Sequence, residues 1–394
     1  MSTAELVRES QAEWTADPGF GVYVHIPFCM HRCHYCDFNT YEGAGPYHRP
    51  YVDALLTHIR TWTGTVGVLP DATSVFFGGG TPTLLAPRDL IRILDAVRNH
   101  VGIAVGAEVT VEANPETVDD RILDELRAGG FNRVSIGVQS LVEPVLRGLG
   151  RTHSAESSLR AIRAARKAGF EDVNADLIYG SPWEGDRDWV TSLEGVVEVG
   201  PDHISAYALT VESGTPLATL VATGRVPDVD PDIQAARHAV ADEVLTAAGY
   251  RRYEVSNWSL PGHACRHNVL YWCAGEYAGF GAGAHAHIGG RRFWAFRRPR
   301  DFIERAASGA STEAGWEALD ASGRAGEALM LGLRLASGID EAAYAAKFGA
   351  RELAARVPVI RDLMAAGLLE REGGSLRVSP AATLVGDEVA RQLL

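Results

Sequence analysis

Six short apolar runs alternate with helical patterns between residues 22 and 248, and this alternation restricts the fold more than any other feature of the chain. The runs occupy 22–26, 74–77, 109–112, 133–138, 173–178 and 203–209, with helical patterns at 51–62, 88–100, 119–128, 154–168, 188–199 and 233–248. Strand-length runs separated by helices of this length are the mark of βαβ units and a parallel sheet. Glycines at helix exits, as in Ala128-Gly129-Gly130 and Ala168-Gly169, fit the left-handed caps that return the chain to the next strand. The unusual residues gather where the strands end. A cysteine loop follows the first strand and Gly78-Gly79-Gly80-Thr81-Pro82-Thr83 the second. Glu112 and Asn114 close the third, Gln139 the fourth, Asp176 lies late in the fifth, and Tyr207-Ala208 end the sixth. Barrels of β/α units build their sites on that face. The expected fold is therefore α/β, a partial (β/α)6 TIM-like barrel open on one side.

The cysteine loop reads Cys29-Met30-His31-Arg32-Cys33-His34-Tyr35-Cys36. Thiolates this close are better suited to a soft metal than to disulfides. Zinc usually takes a fourth protein ligand, and iron–sulfur clusters are commonly held by cysteines. Three cysteines without a nearby fourth would leave one iron of a [4Fe–4S] cube open to another ligand. Inert thiols, or a zinc site completed from afar, are the duller readings. Five cysteines, an odd number, point to a reducing compartment and a cytoplasmic protein. Residues 1–17 lack the basic start and apolar centre of a signal peptide, and no apolar run approaches the ~20 residues of a membrane helix. A net charge of −13 disfavours an extended nucleic-acid surface.

From Arg291 the texture changes to a basic-aromatic stretch ending at Arg300, then to Ala- and Leu-rich helical segments. A helix over 357–368 and a hairpin over 369–378, turned at Gly373-Gly374, give a winged-helix-like outline. Residues 321–394 carry nine Lys or Arg and nine Asp or Glu, a balance that favours a cap or packing domain over a DNA reader. The expected division is an N-terminal extension (1–19), a barrel (20–290) and a smaller, mainly helical C-terminal domain (291–394).

The spacing Cys29-x3-Cys33-x2-Cys36, with Tyr35 before the last cysteine, resembles the radical S-adenosylmethionine (SAM) superfamily. In that superfamily the open iron binds the amino and carboxylate groups of SAM, and one electron from the cluster cleaves a carbon–sulfur bond to give a 5′-deoxyadenosyl radical. The stretches Tyr23 to Cys29, Gly78 to Thr83, Ser135 to Ser140 and Asp176 to Gly180 are similar to the oxygen-independent coproporphyrinogen III oxidase (HemN-like) family. That resemblance implies SAM contacts at Tyr23, Tyr35, Gly79, Gly80, Thr81, Glu112, Gln139, Arg151, Asp176 and Ala208, cluster ligation by Cys29, Cys33 and Cys36, and a HemN-type C-terminal domain. His285 is a further candidate for the SAM site. A guanidinium such as Arg151 can clamp a carboxylate with paired hydrogen bonds.

One position departs from the oxidases. Their fourth cysteine, two residues after the third, is Phe38 here, which resembles the HemW branch, regarded as heme chaperones. The stretch His267-Asn268-Val269-Leu270-Tyr271-Trp272 matches the HNxxYW motif associated with heme in that branch. An imidazole is a competent axial ligand, so the resemblance implies heme at His267, Tyr271 and Trp272. A hydrogen-bonded core histidine is the plainer reading of His267. Cys265 and Cys273, beside the motif, are thiolate or attachment candidates, with buried inert thiols as the alternative. The arginines of 291–300 could hold heme propionates or simply form a solvated face.

The resemblance implies a heme chaperone with a SAM-ligated cluster, an acceptor such as a respiratory-chain protein, and an electron donor such as flavodoxin or ferredoxin. Cluster or heme binding could favour a homodimer. The alternative is a radical SAM decarboxylase or methyltransferase, although Phe38 weakens the case for coproporphyrinogen as substrate. A DNA-binding redox sensor is disfavoured by the balanced C-terminal charge.

Overall fold

The computed structural model describes residues 13–394. All six expected strands form: β1 (Phe20–Ile26), β2 (Ala72–Gly79), β3 (Ile103–Ala113), β4 (Arg133–Gln139), β5 (Asp172–Tyr179) and β6 (His203–Ala208). They pair in chain order and in parallel. β4 is buried at every position, as a central strand covered on both faces must be. Eight helices accompany these strands. They are α1 (His48–Val66), α2 (Pro87–His100), α3 (Asp120–Ala128), α4 (Glu143–Leu149), α5 (Ala155–Lys167), α6 (Asp186–Val199), α7 (Pro216–Ala222) and α8 (Pro231–Ala247). Side chains of Asp119, Ser154 and Asp230 accept backbone N–H groups at the starts of α3, α5 and α8, which satisfies donors the helix itself leaves unpaired.

The sheet continues at both ends. Beyond β6 lie antiparallel β8 (Asn257–Ser259) and then β7 (Arg251–Arg252). Beyond β1 lies a seventh parallel strand, β9 (Glu276–Phe280), reached through the short helix α9 (Arg266–Trp272). Antiparallel β10 (His285–Ile288), β11 (Arg291–Ala295) and, after α10 (Pro299–Ser308), β12 (Glu313–Ala318) extend that edge. The order of the twelve strands is β12-β11-β10-β9-β1-β2-β3-β4-β5-β6-β8-β7, and the two end strands do not meet, so the barrel stays open. The basic-aromatic stretch thus begins as a sheet strand. Within it Arg291 pairs with Glu313 at 2.5 Å, and Arg292 with Glu317 and Glu327 at 2.7 Å each.

The rest of the chain builds a second unit from α11 (Ala321–Gly332), β13 (Ile339–Asp340), α12 (Glu341–Phe348), α13 (Ala350–Ala365), β14 (Leu369–Glu372), β15 (Ser375–Val378) and α14 (Gly386–Arg391). Its three strands run in the order β13-β15-β14. The β14–β15 hairpin turns at Gly373 and Gly374, whose φ angles of 60° and 92° are those a tight two-residue turn demands. Leu329, Leu333, Tyr344, Ile360 and Leu376 form the core of this unit. Trp14, Tyr253 and, from α9, Val269 join that core, so α9 lies where the two units meet. Among the described residues no helix is long and apolar enough to cross a membrane.

Candidate cofactor site at the strand ends

A cavity of about 420 Å³ opens at the C-terminal ends of the parallel strands. Its walls include Cys29, Cys33, Tyr35, Cys36, Gly79, Gly80, Thr81, Glu112, Gln139, Arg151, Asp176 and Ala208. Twelve positions spread over about 180 residues of sequence are brought together because most of them lie late in, or just after, a parallel strand of one sheet, while Arg151 reaches in from the end of α4. Asn114, Ser135, Gly137 and Tyr207 also line it. Phe38, 65% exposed, stands at the mouth.

The cysteine loop is tied to the glycine run by backbone hydrogen bonds. The Gly80 N–H donates to the Ile26 carbonyl at 2.8 Å and the Thr81 N–H to the Phe28 carbonyl at 2.7 Å. A β-carbon on Gly80 would lie 2.5 Å from the Phe28 carbonyl oxygen, closer than real contacts allow. Gly79 has a φ of 113°, in the region that only glycine adopts without strain. Gly80→Ala is therefore expected to lower stability by about 1–3 kcal/mol through forced displacement of the loop. Denaturant titration of the variant against the parent chain measures it.

Around the cavity the polar groups are organised in advance. Arg151 donates from Nη1 to Cys33 Sγ at 3.3 Å and from Nη2 to the Gly137 carbonyl at 2.9 Å, and it also bonds Asn114. Asn114 in turn donates to Thr81 Oγ1 at 2.9 Å. Asp176 accepts from Ser135 Oγ and from Asn174 Nδ2, both at 2.8 Å. Behind it, His203 bridges Asn174 Oδ1 (2.6 Å) and the Tyr253 hydroxyl (2.8 Å). Glu112 accepts the Gly79 N–H at 3.0 Å. Gln139 holds a φ of 64°, rare for a side-chain-bearing residue, at a break in the β4–β5 register that re-aims it into the cavity.

Burial sets the charge states. It raises the Glu112 carboxyl to about 8, helped by the nearby Asp176, while the Gly79 N–H works the other way. Burial also raises Asp176, against the pull of Ser135, Ser205 and Asn174. The Cys29 thiol is pushed up to about 11 by burial, and Cys36 is raised for the same reason. Such thiols stay protonated unless a bound cation supplies the missing charge. No three His, Cys, Asp or Glu side chains among the described residues converge on a single ion-sized point. Sulfurs that each take a different iron of a cube need not do so.

Tyr23 and His285 face a neighbouring cavity of about 380 Å³, which shares Phe38, Gly79 and Glu112 with the first. His25 joins its wall, donating from Nε2 to the Asn39 carbonyl (3.1 Å) and pairing through Nδ1 with the Tyr23 hydroxyl (3.0 Å). Tyr271 and Tyr277 close the far side. Beyond them lies a third cavity of about 890 Å³ between the two units, whose walls include Tyr271 and Trp272. His267 lines none of these three cavities. It is 1% exposed, stacks on Phe76, and has both ring nitrogens engaged, Nδ1 with Ser74 Oγ at 2.9 Å and Nε2 with the Tyr271 hydroxyl at 3.0 Å. Cys265 is buried against Glu108, and Cys273 is buried near Thr15.

The site can be compared with known proteins. Residues 23–196 match the radical SAM superfamily model, and residues 319–385 match the HemN C-terminal domain. A Mycobacterium tuberculosis (strain ATCC 25618 / H37Rv) protein named heme chaperone HemW is 42% identical over 378 residues, 95% of each chain. A Bacillus subtilis (strain 168) protein of the same name is 32% identical over 369 residues, 93% of this chain and 97% of its own. The solved coproporphyrinogen III oxidase (HemN) of Escherichia coli, a radical SAM enzyme, superposes with a TM-score of 0.81 at 22% identity. That match covers 100% of this chain and 93% of the other, and it establishes the shared fold. With such identity along almost its whole length, the chain belongs to the HemW family of heme chaperones within the radical SAM superfamily.

Proposed function

We propose that this protein is a cytoplasmic heme chaperone that carries a [4Fe–4S] cluster with exchangeable SAM and hands heme to an acceptor protein. The observation that carries this reading is a pair of cavities linked through a third that shares walls with both. One is lined by three thiols and a full polar set, the other is large and aromatic-walled, and Tyr271 and Tyr277 stand beside the small cavity that separates them.

Cys29, Cys33 and Cys36 would hold the cluster. The fit rests on their chemistry: a soft donor set of three half-buried thiols on one loop, with Cys265 and Cys273 fully buried elsewhere in the chain. At Gly78, Gly79 and Gly80 a β-carbon would strike the Phe76 ring, the His25 ring and the Phe28 backbone, so glycine is what lets this run pack against the first strand and the cysteine loop. Arg151 and Asn114 would position the carboxylate of SAM, while Glu112, Gln139 and Asp176 would take its amino and hydroxyl groups. When bound, cluster and SAM together supply one-electron cleavage of a carbon–sulfur bond. Tyr35, Thr81 and Ala208 would shape the pocket and help exclude water. Tyr23 and His285 would close its side. In the heme region, Tyr271 and Trp272 would contact the macrocycle. His267, held between Ser74 and Tyr271, would position the Tyr271 hydroxyl.

A second reading, a radical SAM enzyme acting on a substrate of its own, is favoured by the completeness of the polar set around the cysteine cavity. The two separate in one experiment on anaerobically reconstituted protein. The chaperone reading expects a heme spectrum in the purified chain and transfer of that heme to an apo acceptor, such as a respiratory-chain protein. An enzyme expects 5′-deoxyadenosine with dithionite, flavodoxin or ferredoxin as donor, together with a changed substrate. Absence of any heme spectrum would remove the first reading. Sedimentation with and without heme tests whether the chaperone works as a homodimer.

A further inference from the structure

We propose that the large cavity between the two units is the heme pocket and that His287, outside the HNxxYW motif, supplies the axial imidazole, with Arg324 and Lys347 receiving the propionates. This rests on the heme reading above and names its ligand set.

Size is the first argument. Pockets for small molecules run from roughly 300 to 1,000 Å³, and at about 890 Å³ this one has room for a tetrapyrrole, whereas the cysteine cavity has about half that volume. The second argument is the availability of a ligand. His267 has both nitrogens committed within the protein, so its ring cannot reach iron without breaking two hydrogen bonds and a stack. His287 sits on β10 directly opposite Tyr277 of β9 and faces the large cavity, and among the described residues no group hydrogen-bonds its ring. Burial lowers its pKa, so the imidazole is neutral and free to bind metal.

The walls carry the third argument. Trp272, Tyr271, Tyr277 and Phe348 line the cavity and offer aromatic faces. Tyr271 and Tyr277 already pack edge to face, with centroids 4.7 Å apart. The charges facing His287 are Arg292 and Arg324 against Glu276 and Glu327. Arg292 is neutralised by Glu317 and Glu327, and Glu276 accepts the Gly289 N–H. Asp17 and Asp71 also reach the cavity wall. Arg324 lies beside Gly290 and forms no ion pair among the described residues, and Lys347 is held by the Cys273 and Ala274 carbonyls at 3.3 and 3.5 Å. An ammonium has three N–H donors, so Lys347 keeps one for a carboxylate.

The test uses the full chain with its cluster reconstituted, titrated with ferric heme and followed by Soret absorption and electron paramagnetic resonance. His287→Ala should lose the nitrogen-ligated spectrum and regain it with added imidazole. His267→Gln should keep that spectrum and only weaken binding. Arg324→Gln with Lys347→Gln should reduce affinity for free heme by about tenfold or more, yet leave affinity for heme dimethyl ester unchanged. If His287→Ala keeps the wild-type spectrum while His267→Gln loses it, the assignment fails and the chaperone reading stands. If the ester and the free acid respond alike to the double variant, the propionate assignment fails. If the unaltered chain takes up no heme, the chaperone reading itself fails, and this pocket with it.

Discussion

Cys33→Ser is expected to abolish the cluster while leaving the fold in place. Reconstituted wild-type chain should bind ~4 irons with matching sulfide, and the variant should bind almost none and lose the broad charge-transfer absorption. The reason is that Cys33 is one of only three thiols on the loop, and serine is a hard donor poorly matched to iron–sulfur chemistry. Cys33 is partly exposed, beside Arg151 and away from the buried apolar cluster, so far-UV circular dichroism should be unchanged. Cys265→Ser is the internal control. That thiol is buried against Glu108, far along the chain from the loop, and its replacement should leave the iron content intact. Retention of iron in Cys33→Ser, or its loss in Cys265→Ser, would contradict the ligand assignment.

Much of this architecture was legible because long, strongly periodic segments announce themselves. The six parallel strands and the six longer helices between residues 48 and 247 all form where expected, with bounds shifted by a few residues except for β3, which starts at Ile103 rather than Val109. The strands that were not foreseen are short or diluted. β9 carries Gly279 and is flanked by Gly275 and Gly281, a composition that reads as loop. Helices α4, α7 and α9 have seven residues each, too few for periodicity to separate them from turns. The site divides in the same way. Cysteines, glycines and strand-end polar residues were readable because loops after strands are where unusual residues gather. The supporting row was not, because it depends on register. Ser135 lies opposite Asn174, and Asn174 opposite His203, on three adjacent strands, which lets them form one hydrogen-bonded line behind Asp176. A motif also names residue types without their direction. The HNxxYW stretch placed Tyr271 and Trp272 on a cavity wall but turned His267 inward to Ser74.

Glu112→Gln is expected to trade SAM affinity for stability, with a pH signature that identifies the cause. The folded carboxyl is raised from its usual 4.5 to about 8, by burial first and Asp176 second. Folding therefore takes up a proton at this position across that interval. Its stability contribution is full below about pH 4.5 and is lost as pH rises to about 8, at a rate of ~1.4 kcal/mol per unit. The whole loss is on the order of 3–5 kcal/mol. Glutamine cannot ionise, yet its carbonyl can still accept the Gly79 N–H, so the variant should show no such falling limb and should be the more stable protein at pH 8. Binding should move the other way. A cationic ligand draws the proton off Glu112, so wild-type affinity for SAM should climb from pH 6 to about 8 and then level. The variant should bind about tenfold or more weakly, with a flat profile, since hydrogen bonds to a charged group contribute roughly 1.5–3 kcal/mol. Denaturant titrations at several pH values and calorimetric SAM titrations measure the two halves. If the falling limb persists in Glu112→Gln, the titrating group is Asp176, whose carboxyl burial also raises.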